Sequence, residues 1–106
     1  MLPIHFASPA DAAKLTPTAA IRGPITSADA LFSELARALE LPDYFGHNWD
    51  ALDECLREVL GDIVLLVHDA ETLWHEAPDV ALALVDLWLV AAEERPGKME
   101  LVFVWS

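Results

Sequence analysis

The stretch Asn48–His68, NWDALDECLREVLGDIVLLVH, carries two hydrophobic patterns back to back. In its first part Trp49, Leu52, Leu56, Val59 and Leu60 recur at helical spacing, and Asn48 stands where a side chain caps a first turn. Gly61-Asp62 ends that helix. Ile63–His68 then forms a short apolar run rich in branched residues and bounded by turn signals, which predicts a buried strand. A helix feeding directly into a buried strand is the repeating step of an α/β fold. Strands separated by connections of that length pair in parallel.

Upstream of this stretch, Ala19–Arg22 is a short strand candidate closed by Gly23-Pro24. Ser27 is placed to cap an amphipathic helix ending near Glu40, with Leu31, Phe32, Leu35 and Leu39 as its apolar stripe. Pro42 stops that helix, because a residue before proline disfavours the α region. Leu41–His47 is therefore a loop.

Downstream, Ala70–Ala77 reads as a short helix or loop. Pro78-Asp79 opens a helix to about Glu94, with Val80, Leu84, Leu87, Trp88 and Ala91 along one side. Arg95-Pro96-Gly97 breaks it, and Glu100–Trp105 closes the chain as a strand. Residues 1–17 hold Pro3, Pro9 and Pro17 and read as an extended N-terminal arm with room for one short helical turn. The domain proper is expected over residues 18–106. The expected class is α/β, a small three-stranded parallel sheet packed with helices.

Composition narrows the function. The chain has 106 residues, enough for one domain with a modest core. Hydrophobic residues make up 55%, and mean hydropathy is +0.33, too apolar for a disordered chain. Runs such as Ile63–Val67 fall far short of the ~20 residues a membrane span needs. Eighteen acidic residues against six basic ones give a net charge of −12. Such a field repels phosphate backbones and anionic membranes, so neither nucleic acid nor a membrane surface is an expected partner. It favours a basic protein partner, or else serves only solubility. Cys55 is the single cysteine, so no internal disulfide forms. Residues 1–14 lack the features of a signal peptide, and the expected compartment is the cytoplasm.

Few residues invite catalysis. Gly23, Gly46, Gly61 and Gly97 are isolated, so no phosphate-cradling loop is present, and the four histidines are scattered. His47 and Asp50 could share a metal, but two nearby ligands do not define a site, and a solvated histidine beside an acid is the simpler reading. No metal or cofactor is expected. Cys55 has no flanking cations and reads as a buried small hydrophobe.

The helix opening at Asn48 gives the strongest signal. Asp50, Asp53 and Glu54 fall together on one side, away from Trp49, Leu52 and Leu56. Like charges at such spacing repel by a few tenths of a kcal/mol per pair, although Arg57 can pair with Asp53 or Glu54. A helix that concentrates acids is either a solvated helix start or a charged ridge kept for a partner. Asp43–Trp49, DYFGHNW, precedes it. Phe45 and Trp49 can staple this loop to the core, leaving Tyr44 as a contact residue.

Leu41–Leu52, LPDYFGHNWDAL, resembles the signature of the barstar family, intracellular inhibitors of the bacterial ribonuclease barnase. That signature is Leu-Pro, an acid, two aromatics, Gly, a variable residue, Asn, an apolar residue and Asp-Ala-Leu. The resemblance runs from about Ala19 to Ser106 with strands and helices in step, and residues 1–17 lie outside it. It implies three parallel strands covered by helices, and an inhibitor that plugs a ribonuclease active site with its second helix and the loop before it. Tyr44, Gly46 and Asn48 match the family's loop, and Asp50 its first contacting acid. Asp53 stands where barstar has a tryptophan. Glu54 stands where barstar has the aspartate that occupies the enzyme's phosphate site.

The resemblance thus implies a non-enzymatic inhibitor of a basic ribonuclease, contacting it through Tyr44, Gly46, Asn48, Asp50, Asp53 and Glu54. Two alternatives stay open: a small interaction or regulatory domain that kept this fold and lost ribonuclease binding, and a hydrolase pairing Asp50 with Asp53 or Glu54.

Overall fold

Strand β3, Ile63–Val67, has four of its five residues buried and pairs in parallel on both sides, as its unbroken apolar run requires. The structure, a computed structural model, describes residues 3–95 and 97–105. In chain order its elements are β1 (Ile4–Ala7), α1 (Pro9–Ala12), β2 (Ala19–Ile21), α2 (Ala28–Ala38) and α3 (Trp49–Glu58). After β3 come α4 (Ala70–Glu76), α5 (Pro78–Glu94) and β4 (Met99–Val104). The sheet is parallel throughout, with the order β1-β4-β3-β2.

Chain direction decides which face each helix covers. The path β2→β3→β4 moves steadily across the sheet. Right-handed crossovers therefore lay α2–α3 and α4–α5 over the same face. There Leu31 and Leu35 of α2, Leu52 and Leu56 of α3, and Leu84 and Trp88 of α5 bury themselves against Ile21, Ile63, Leu65, Leu101 and Phe103. The step β1→β2 runs the opposite way, from one edge to the other, so the same handedness carries it across the second face. Ala12 of α1 packs there on Leu66, Val102 and Val104. Among the described residues no helix is long and apolar enough to cross a membrane.

Most expected boundaries hold within two residues. The Ser27 Oγ accepts from the Ala30 N–H at 3.1 Å and caps α2. The segment Ala70–Ala77, open between helix and loop, is helix α4. Two expectations are corrected. Leu60 is not on the core face of α3 but is 94% exposed. The helix stops at Glu58 and Val59 is already extended, which takes Leu60 out of helical register.

The sheet has four strands rather than three. The segment read as an arm carries β1, whose register on β4 runs from Ile4↔Leu101 to Ala7↔Val104. It is followed by α1, where the Ser8 Oγ accepts from the Asp11 N–H. The prolines mislead because they delimit elements here. Pro3 precedes the strand, and Pro9 occupies the first turn of α1, where its missing N–H costs nothing.

Removal of residues 1–17 uncovers Leu66, Val102 and Val104. Re-exposing even one such side chain costs about 1.5–3 kcal/mol. The truncated chain is expected to melt at least 5–10 °C lower, at roughly 4–8 °C per kcal/mol, and calorimetry of the two forms measures this.

Candidate functional site

The loop between α2 and α3 is shaped by aromatic packing and two hydrogen bonds. The Leu41 N–H returns to the Ala36 carbonyl at 3.0 Å, and the Phe45 N–H donates to the Pro42 carbonyl at 2.9 Å. The Phe45 ring, 7% exposed, packs edge-on against Phe32 at 6.1 Å. Trp49 meets the same Phe32 at 4.8 Å from the other end of the loop. With both neighbours anchored on α2, Tyr44 is left projecting, 78% exposed.

Asn48 joins the loop to the helix. Its Oδ1 accepts from the Ala51 N–H at 2.8 Å, capping α3, while its Nδ2 donates to the Gly46 carbonyl at 3.1 Å. Gly46 makes room for this arrangement, since a Cβ there would stand 3.1 Å from the Asn48 Nδ2. Gly46 and Asn48 thus fix the angle at which the loop enters the helix. His47 between them takes a left-handed φ of 47°.

The four acids of α3, Asp50, Asp53, Glu54 and Glu58, do not share one environment. Asp50 and Glu54, one turn apart, are exposed. Asp50 lies in the first turn, where the helix dipole favours a negative charge. Asp53 is half-buried and tied down: the Arg57 Nε donates to its Oδ2 at 3.0 Å, and Arg57 also bridges through Nη1 to Glu94 on α5. These hydrogen bonds, that to Asp53 foremost, raise the already high basicity of the Arg57 guanidinium. The outward anionic ridge of α3 is therefore Asp50 and Glu54, with the exposed Glu58 one turn further on.

The far end of α3 is fastened by Arg95, the buried charged residue next to Glu94. Its Nη2 donates to the carbonyls of Val59 and Gly61, just past the helix, and its Nη1 to the Lys98 carbonyl at 3.4 Å. Gly97 permits this close approach, since a Cβ there would lie 2.7 Å from the Gly61 oxygen. The parts played by Glu94 and Arg95 escape sequence reading because their partners lie 34 to 37 residues away. The sequence signal was an arginine at a Pro-Gly helix stop in an acid-rich chain. Among the described residues no group of three or more metal-ligating side chains comes together.

The family model for barstar, described as barnase inhibitor, matches residues 18–104. The chain belongs to the barstar family. No curated protein matches it. The barstar match begins one residue before β2 and ends with β4, so β1 and α1 lie outside it. It includes the whole loop and α3.

Cys55 lies on the inner side of α3, 6% exposed and unpaired. Burial, and behind it the charges of Glu58 and Glu54, push its thiol above the ordinary value. The unfolded thiol thus ionises first, and the folded state keeps its proton to higher pH. This contribution to stability is complete below about pH 8.5 and is lost as the pH rises through the folded value. Denaturant titrations above about pH 8.5 are expected to show a shallower fall in stability for Cys55→Ala than for the parent. Asn48→Ala, which removes the α3 cap, is expected to cost about 1 kcal/mol in the same titration at neutral pH.

Proposed function

We propose that this barstar-family protein is an inhibitor that docks on a basic ribonuclease through Tyr44, Gly46, Asn48, Asp50 and Glu54 and covers its active site. The observation that carries this reading is the surface at the start of α3. Tyr44, Asp50 and Glu54 stand exposed around a helix capped at one end and clamped at the other, within a chain matched by the barnase-inhibitor family.

The chemistry follows from what a ribonuclease must present. Its active site gathers cationic and hydrogen-bonding groups around a scissile phosphate. A carboxylate held on a fixed helix can take the same donors in charge-assisted hydrogen bonds without offering a bond to cleave. Glu54 is the phosphate mimic in this reading. Its side chain is longer by a methylene than the aspartate the family places there, so the fit selects an enzyme with a correspondingly deeper pocket. Asp50 supplies a second anion, and Tyr44 supplies contact area at low entropic cost.

Asp50 and Glu54 repel each other on the free helix, and a cationic pocket relieves that strain. Asp53 contributes least because Arg57 already holds it. Gly46 and Asn48 act through the shape of the loop. The reading assigns the protein no catalysis and no cofactor, and it places the inhibitor in the cytoplasm, where an unguarded ribonuclease would meet cellular RNA. A net charge of −12 steers a basic enzyme onto it.

The test is inhibition and titration calorimetry against barnase and other small basic ribonucleases, from low to physiological salt. Stoichiometric inhibition of at least one enzyme is expected, with association slowing as salt rises. Glu54→Ala is expected to cost about 2–5 kcal/mol of binding because it leaves buried cations unpaired. Asp50→Ala and Tyr44→Ala rank next, and Asp53→Ala is expected at about 0–1 kcal/mol. Absence of inhibition across the panel would favour a domain that keeps the fold and binds something else. Equal binding by Glu54→Ala and the parent would refute this docking mode.

A further inference from the structure

Aromatic rings gather at the β1 edge of the sheet, across from the β2 edge that α2 packs on. Phe6 of β1 stacks on Phe103 of β4 at 5.4 Å and lies 6.2 Å from both Trp74 of α4 and Trp105. Trp74 meets Phe103 edge-on at 5.4 Å. Phe103 is fully buried, but Phe6 is 61% exposed and Trp105 42%. Next to Trp105 lies a shallow recess of about 300 Å³, lined also by Glu71, Thr72, His75 and Glu76.

Topology explains why a recess opens here. The chain reverses its direction across the sheet between β1 and the other strands. Helices on opposite faces diverge at such a reversal, and α/β sheets bind ligands outside the carboxyl ends of the strands at that point. Phe6 and Trp105 stand at those ends of β1 and β4. Among the described residues no strand pairs with the outer side of β1. The edge strand is short and preceded by Pro3, but it carries no Lys, Arg, Asp or Glu and displays a phenylalanine.

We propose that the β1 edge, with Phe6, Trp105 and the adjoining recess, is a second docking surface that takes an extended basic segment of another polypeptide as a fifth strand. The open backbone supplies main-chain hydrogen bonds and the side-chain hollows supply selectivity. A strand places residues i and i+2 on one face. An apolar side chain over Phe6 is followed, two positions on, by one directed toward the Trp105 end of the sheet, where Glu76 and the Trp105 ring favour a cation. The charge of −12 attracts such a segment and repels a second copy of this chain. The surface is built partly from β1, outside the barstar match, and is separate from α3.

The probe is a short synthetic peptide, blocked at both ends, in which valine and lysine alternate between threonines. Fluorescence anisotropy with the full chain is expected to show binding. It is expected to weaken about tenfold or more with glutamate in place of lysine, with a proline at the peptide's centre, or with Phe6→Lys or Trp105→Ala in the protein. Both side chains are exposed, and melting curves check that each variant folds; either one suffices. Amide exchange is expected to slow at residues 4–7 on binding. Asp50→Ala with Glu54→Ala is expected to leave affinity within about twofold. No binding, binding indifferent to both edge variants, or binding lost with the α3 acids would overturn the proposal. So would sedimentation showing that two copies pair through β1.

Discussion

A parallel sheet cannot be closed by tight turns, and each strand must be regained by a crossover over one of its faces. Nearly everything else in this protein follows from that constraint. Three strands visited in one direction load α2 to α5 onto one face, and right-handedness leaves no choice of side. Helix α3 therefore lies between the loop that begins it and α5, which it contacts. The acidic ridge owes its position to this route. Its rigidity comes from the Phe32–Phe45–Trp49 packing and the Asn48 cap at one end and the Arg95 carbonyl contacts at the other.

Local chemistry was legible wherever it was self-contained. Ser27 and Asn48 announced their helices, because a cap needs only a side-chain oxygen a few residues ahead of a free N–H. Ile63–Val67 announced a buried strand by having no polar alternation. The exposure of Tyr44 and burial of Phe45 followed from reading Leu41–His47 as a surface loop stapled to the core by Phe45 and Trp49. Strand β1 was hidden because four residues carry too little pattern, and its half-buried face does not alternate cleanly. The difference between Asp53 and its two acidic neighbours was hidden in part because Glu94 arrives from another helix. Spacing on one helix shows which side chains share a face. What meets that face is settled by the fold.

The acids of α3 show how a small domain can carry uncompensated charge. The protein keeps Asp50 and Glu54 free toward solvent while binding Asp53 with Arg57, and the same arginine ties α3 to α5. Exposed pairs of this kind add ~0–1 kcal/mol each, so the arrangement contributes more to orientation than to stability. An orienting contact is what a preformed binding surface needs, since a helix already held in place surrenders little freedom on docking. Arg95 extends the same logic inward, its buried guanidinium tying the Val59 and Gly61 carbonyls just past α3 to the end of α5.

The pairing of β1 with β4 also gives the molecule a mechanical character. Pro3 lies at the leading end of β1 and Trp105 just past the trailing end of β4, and the two strands are adjacent and parallel. A force that draws Pro3 and Trp105 apart slides one strand along the other. It loads the cross-strand hydrogen bonds together, whereas peeling a hairpin breaks them one after another. The short first strand thus acts as a shear clamp, and the domain resists being pulled from its ends until that whole row yields at once.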